Sequence, residues 1–178
     1  MKRSGPRPQA ASPAPAKAAK VAAKVASGAG EVRIIGGQWK RTRLPVAQRP
    51  GLRPTPDRVR ETVFNWLGQD LSGWHCLDAF AGTGALGLEA ASRGAARVVM
   101  VEQSPAVAAA LENNARVLEA GNRLRIVRGD ALKSAPSLSS AEARFDVVFL
   151  DPPFRQGWLE RLTPLLPGLL ADDGDLYV

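Results

Sequence analysis

The stretch Asp78-Ala79-Phe80-Ala81-Gly82-Thr83-Gly84-Ala85-Leu86-Gly87 decides the fold of this 178-residue chain. It follows an apolar run at 76–80 that predicts a strand. It opens a helical segment at 85–93, with Gly94 as the stop. Glycines at such a turn let the chain reverse sharply and let a ligand approach the backbone, because no Cβ stands in the way. The unpaired N–H groups of the helix start then face that ligand. Glu102 falls about 20 residues past Gly82, at the end of the next apolar run, where a carboxylate can take both hydroxyls of a ribose. The spacing also satisfies G-x-G-x-x-G, so the turn suits NAD as well as S-adenosylmethionine.

Outward from this turn, apolar runs alternate with helical segments. Residues 97–102 predict a strand, and 104–119 a helix with Ser104 as N-cap and Pro105 after it. Residues 124–127 predict a third strand, 131–143 a loop or short helix, and 145–151 a fourth strand. The last is nearly all apolar, as a strand covered on both faces should be. A helix is expected to begin at 158 and run to 170 despite Pro164 and Pro167, and a fifth strand starts at 175. This alternation implies an α/β fold, a doubly wound, mostly parallel, Rossmann-like sheet. Upstream, a strand at 32–35, a Gly36-Gly37 turn and a basic-apolar alternation at 38–44 predict a small β-hairpin. Thr55 as N-cap and Pro56 at the first helical position then open a helix to about Leu67. Val59, Val63, Trp66 and Leu67 form its apolar face, with Arg58 and Arg60 off it. The expected organisation is a disordered Ala/Pro/Lys-rich tail over 1–30, a hairpin and helix extension over 31–70, and a ligand-binding domain over 71–178.

Charge is divided unevenly. Residues 1–60 hold 14 Lys and Arg against Glu31 and Asp57, while residues 61–178 hold 10 against 15 acids, for a formal net charge of +7. A basic leading segment on a mildly acidic body suggests a polyanionic partner, nucleic acid above all. The single Cys76 excludes an internal disulfide, and with the single His75 it is too little for a Cys/His metal site. No run of about 18 apolar residues predicts a membrane span, and there is no signal peptide, so a cytoplasmic protein is expected.

Gly129-Asp130-Ala131 follows the third strand. There Asp130 borders the same crevice and can accept a hydrogen bond from an adenine amino group. Asp151-Pro152-Pro153-Phe154 ends the buried fourth strand. An exocyclic amine on a nucleic-acid base is a poor nucleophile, because its lone pair is delocalised into the ring. The Asp151 carboxylate and the Pro152 carbonyl can accept its two N–H hydrogens and localise that pair. Two successive prolines hold these acceptors in place with little reorganisation. Phe154 offers a face on which the base can stack. An oxidoreductase has no evident use for this tetrapeptide, which favours S-adenosylmethionine over NAD.

Asp-Pro-Pro-Phe after a fourth strand resembles motif IV of amino-methyltransferases acting on nucleic-acid bases, and residues 78–84 resemble their motif I. More specifically, Arg33-Ile34-Ile35-Gly36-Gly37-Gln38-Trp39-Lys40, Leu52-Arg53-Pro54-Thr55 and Asp57-Arg58-Val59-Arg60-Glu61-Thr62-Val63-Phe64-Asn65-Trp66-Leu67 closely resemble bacterial 16S rRNA (guanine-N2)-methyltransferases of the RsmD type. The resemblance implies a class I methyltransferase fold and methyl transfer to one guanine of 16S rRNA within the small ribosomal subunit. It assigns S-adenosylmethionine to Asp78, Phe80, Gly82, Gly84, Glu102, Asp130 and Ala131, and catalysis to Asp151, Pro152 and Phe154. It assigns rRNA contact to Trp39, Lys40, Arg41, Arg43, Arg53, Arg58 and Arg60, and no metal or membrane is implied. Such folds usually continue past the fifth strand into a β-hairpin. A sequence ending at Leu176-Tyr177-Val178 is therefore expected to form a C-terminally incomplete sheet with an open edge. The readings set against this one are a DNA adenine-N6 methyltransferase, an NAD-dependent oxidoreductase and a non-catalytic RNA-binding module.

Overall fold

The computed structural model describes residues 30–142 and 144–178, so the tail expected over 1–30 lies almost wholly outside the described residues. A two-stranded antiparallel hairpin, β1 (Glu31–Arg33) and β2 (Arg43–Pro45), precedes helix α1 (Asp57–Leu67). The remainder alternates: β3 (His75–Asp78), α2 (Ala85–Ser92), β4 (Arg97–Glu102), α3 (Pro105–Val117), β5 (Leu124–Arg128), α4 (Ala131–Ala141), β6 (Phe145–Phe149), α5 (Trp158–Leu162), α6 (Leu166–Leu169) and β7 (Leu170–Tyr177). The five later strands form one parallel sheet in the order β5-β4-β3-β6-β7. This is the doubly wound arrangement that the alternation predicted.

The sheet separates two apolar cores. On one face Cys76, Val98, Met100, Val147 and Phe149 pack under α1, α2 and the hairpin, through Phe64, Leu88, Trp39 and Leu44. On the other, Leu77, Val99, Val101 and Val148 pack under α4 and the last helices, through Ala135, Leu138, Leu162 and Leu169. Because the central strands are covered on both sides, their side chains are apolar at consecutive rather than alternate positions.

Local departures from the sequence reading have physical causes. The segment 131–141 is a full helix, because the Asp130 side chain caps it by accepting from Lys133 N at 3.1 Å. The helix expected over 158–170 is interrupted by a 3₁₀ turn, Thr163–Leu165, because Pro164 and Pro167 cannot donate helical hydrogen bonds. β7 starts earlier than position 175 and bulges: Phe145 pairs with Leu170, whereas Val147 pairs with Asp175. The hairpin strands have only three residues each, and the turn between them folds down onto α2. There Gln38 N donates to Ser92 O at 2.7 Å and Trp39 N to Ser92 Oγ at 2.9 Å. Pro56, not Thr55, occupies the N-cap of α1, without a side-chain capping bond.

Candidate active site

A cleft of about 650 Å³ opens at the C-terminal ends of β3, β4 and β6, with residues 49–53 and Thr55 along its rim. Parallel strands deliver their carboxyl ends to one edge of the sheet, so Asp78, Glu102 and Asp151 reach the same cavity from distant parts of the chain.

The glycine turn is held from below by Glu102. Its Oε2 accepts from Gly82 N at 2.9 Å and its Oε1 from Ser104 N at 2.8 Å. Gly82 lies at φ 53°, and an added Cβ there would press on Leu52 at 3.3 Å, so its missing side chain leaves the cleft open. Gly84, also left-handed at φ 83°, serves differently. It does not line the cleft, and a Cβ would strike Leu111 Cδ2 at 2.7 Å and Leu88 Cδ1 at 2.9 Å. Gly84 therefore lets α2 and α3 pack closely.

Asp78 is 1% exposed. Its Oδ2 accepts from Gly87 N at 3.1 Å, while Oδ1 is buried with no hydrogen-bond partner of normal geometry among the described residues. Burial pushes this carboxyl up to about 7, and the neighbouring Asp151 and Glu102 charges add to the effect. The backbone N–H groups of Gly87 and Phe80 pull the other way. The Asp130 carboxylate is engaged in capping α4, and it is Gly129 and Ala131 that line the cleft at that point.

Asp151 follows β6 after Leu150. The strand end is fixed by Ala79 N donating to Phe149 O at 3.1 Å and Leu150 N to Tyr177 O at 2.8 Å. Asp151, Pro152 and Phe154 all line the cleft. Asp151 is exposed, and Thr55 Oγ1 donates to its Oδ2 at 3.4 Å. Phe154 is 95% exposed. Phe80 lines the cleft and meets Trp158 edge-on, with ring centroids 5.2 Å apart.

Of the residues expected to contact RNA, Lys40, Arg41, Arg43, Arg53 and Arg58 are exposed, with Arg43 at 3.5 Å from Glu31. Trp39 and Arg60 are buried and must be withdrawn from that group. Trp39 sits in the hairpin core with the Arg123 guanidinium over its ring at 4.8 Å. Arg60 donates to Thr55 O, Arg33 O, Glu89 and Asp57. The inner stripe of α1 is thus Arg60, Val63 and Phe64, and Val59 and Trp66, read as apolar-face residues, are exposed. Arg60, Val63, Phe64 and Leu67 share the same helical spacing, and that register was the missed signal. Arg49, Gln156 and Trp158 also line the cleft with no sequence signal to mark them; Thr55 lines it too, and the family-like stretch Leu52-Arg53-Pro54-Thr55 includes it.

Among the described residues no cluster of His, Cys, Asp and Glu is placed to hold a metal ion, and no helix is long and apolar enough to cross a membrane.

The parallel sheet, the glycine turn after its central strand and the acid ending the neighbouring strand define a class I methyltransferase-like α/β fold. Residues 32–178 match the family model described as conserved hypothetical protein 95. Ribosomal RNA small subunit methyltransferase D of Escherichia coli (strain K12) is 50% identical over 154 residues, which cover 85% of this chain and 76% of that protein. The protein of the same name from Haemophilus influenzae is 44% identical over 137 residues, 77% of this chain and 71% of that one. The solved structure of the putative methyltransferase yhhF from Escherichia coli superposes with a TM-score of 0.73 at 46% identity, covering 84% of this chain and 80% of that one. The chain belongs to this family, the RsmD type of methyltransferase.

Proposed function

We propose that the protein transfers a methyl group from S-adenosylmethionine to the exocyclic N2 amine of a guanine in 16S rRNA of the small ribosomal subunit. The observation that carries this reading is the meeting of Asp151-Pro152, at the end of a buried strand, with the glycine turn and Glu102 in one cleft. The relatives are named for ribosomal RNA, which favours neither the DNA adenine-N6 reading nor the nicotinamide one. Work on ribosomal subunits would place the enzyme in the cytoplasm.

The residues fit S-adenosylmethionine. The buried, unpartnered Asp78 Oδ1 suits an ammonium donor, and Gly82 leaves room for backbone approach. Glu102, anchored by two N–H groups, keeps acceptor capacity for ribose hydroxyls. Phe80 and Ala131 close the apolar surface of the cleft. When bound, the cofactor supplies an electrophilic methyl group on a sulfonium. The Asp151 carboxylate and Pro152 carbonyl accept the amine hydrogens, localise its lone pair and offset the positive charge that develops on nitrogen. Phe154 stacks on the base, which must be extruded to reach them. Arg49 and Arg53 on the rim, with Lys40, Arg41, Arg43 and Arg58, contact phosphates and position the RNA without reading its sequence.

The test is methyl transfer from labelled S-adenosylmethionine to small subunits that lack the modification. Label should appear in 16S rRNA, at N2 of one guanine by mass mapping. Label in DNA alone would reject the reading.

A further inference from the structure

The cleft has two unlike sides. β4 and β5 bring Glu102 and Gly129 to one side of β3, and β6 brings Asp151, with Phe154 and Trp158 beyond it, to the other. Trp158 opens α5 directly after Gly157, which lies at φ 62°. Three contacts hold its indole. Phe80 meets it at 5.2 Å between centroids, the Arg161 guanidinium lies 5.0 Å from its ring, and Nε1 donates to Gln156 Oε1 at 2.9 Å. Among the described residues, neither apolar core includes Trp158. A large, fixed ring that lines a cleft of mixed polar and apolar character without serving a core is suited to a planar ligand.

The proposed reaction brings two ring systems into this cleft. The adenosine must lie on the β4 side, because its ribose needs Glu102. The target base must lie on the β6 side, because its amine needs Asp151, and that is the side of Trp158. Phe154, at 95% exposure, has no packing to fix it, so it loses rotamer freedom when a base stacks on it. Trp158 is already ordered and loses less.

We infer that Trp158 is a base-contacting residue, whose indole stacks against the purine extruded from RNA, with Arg161 pinning the ring. The inference rests on the methyl-transfer reading above. It is tested with the full chain by steady-state methylation of undermethylated small subunits and by calorimetry with S-adenosylmethionine.

Trp158→Leu keeps apolar bulk but has no π-face. It should lower kcat/KM for the subunit roughly 5- to 100-fold, while cofactor affinity stays unchanged. Trp158→Phe should retain most of the wild-type rate. If the Leu and Phe variants both match wild type, the ring has no role in substrate binding and the inference is overturned. It is overturned equally if Trp158→Leu loses cofactor affinity in proportion, which would move the ring to the adenosine side. Absence of RNA labelling by the wild-type chain rejects the parent reading and this inference with it. Labelling of RNA by Trp158→Leu at the wild-type rate rejects the inference alone.

Discussion

Arg60 donates from Nη1 to Glu89 Oε2 at 3.1 Å, and the two side chains are 1% and 0% exposed. The pair joins α1 to α2, which starts at the glycine turn. Glu89 is fully engaged: Arg93 donates to it at 3.0 Å, and Ile35 N and Gly36 N donate at 3.0 and 2.8 Å. Removing Arg60 leaves the buried Glu89 with Arg93 as its remaining cation and strips Thr55 O and Arg33 O of a donor. Arg60→Met should therefore destabilise the chain by about 3–5 kcal/mol. In urea denaturation this reads as a lower midpoint at unchanged slope.

The Thr55 hydroxyl and the Asp151 carboxylate give a graded pair of kinetic tests. Asp151→Asn removes the charge and one acceptor from the proposed amine site, and kcat should fall by about 10²–10³ with cofactor affinity retained. Thr55→Val removes one donor to an exposed carboxylate, and kcat should fall by only about 2- to 10-fold. Single-turnover methylation separates the two.

Much of this was legible in the sequence. The strand-turn-helix at 78–87 and the alternation after it follow from local spacing, which the chain states directly. Ser104 was readable as an N-cap, and its side chain accepts from Val107 N. Arg60 was not readable as a core residue, because its burial depends on Glu89, and no local pattern announces a partner 29 residues away. Trp39 misled for a similar reason: it is buried by Ser92 and Arg123, both distant in sequence. The rim at 49–55 has no periodicity, so its place over the cleft is set by the elements it connects.

Asp78 should leave a pH signature. An unfolded aspartate titrates near 3.8, while the folded one titrates at about 7. Between those values the folded chain keeps a proton that the unfolded chain has lost, so stability falls as pH rises. The full penalty, at most about 4 kcal/mol, is present above about 7 and disappears as pH falls toward 4. Melting temperatures of wild type and Asp78→Asn should diverge between pH 5 and 8, with the variant gaining at the upper end. A cationic ligand at Oδ1 should bind more tightly as pH rises through 7, and calorimetry across that range checks this.

Gly84→Ala would place a Cβ within 3 Å of Leu111 and Leu88 at φ 83°. Left-handed strain and overpacking together should cost roughly 2–4 kcal/mol. The loss should appear in chemical denaturation of the chain without ligand, since Gly84 does not line the cleft.

The exposed arginines and the buried tryptophan should part company in salt titrations. Arg49→Ala and Arg53→Ala should each weaken subunit binding and flatten the plot of log affinity against log salt by about 0.7–1. Trp39→Ala should leave that slope unchanged and instead lose about 3–5 kcal/mol of stability.

The strand order β5-β4-β3-β6-β7 also fixes when the cleft can exist. During synthesis β3, β4 and β5 emerge first and can pair with one another, giving a half-sheet that already carries Asp78 and Glu102. Asp151 enters only when β6 docks on the far side of β3, after more than two-thirds of the chain is made. Until then the edge of β3 that β6 takes is unpaired on the nascent chain. The late arrival of one strand ties completion of the reaction centre to closure of the sheet, after which only the last helices, bringing Leu162 and Leu169, remain to cover the second core.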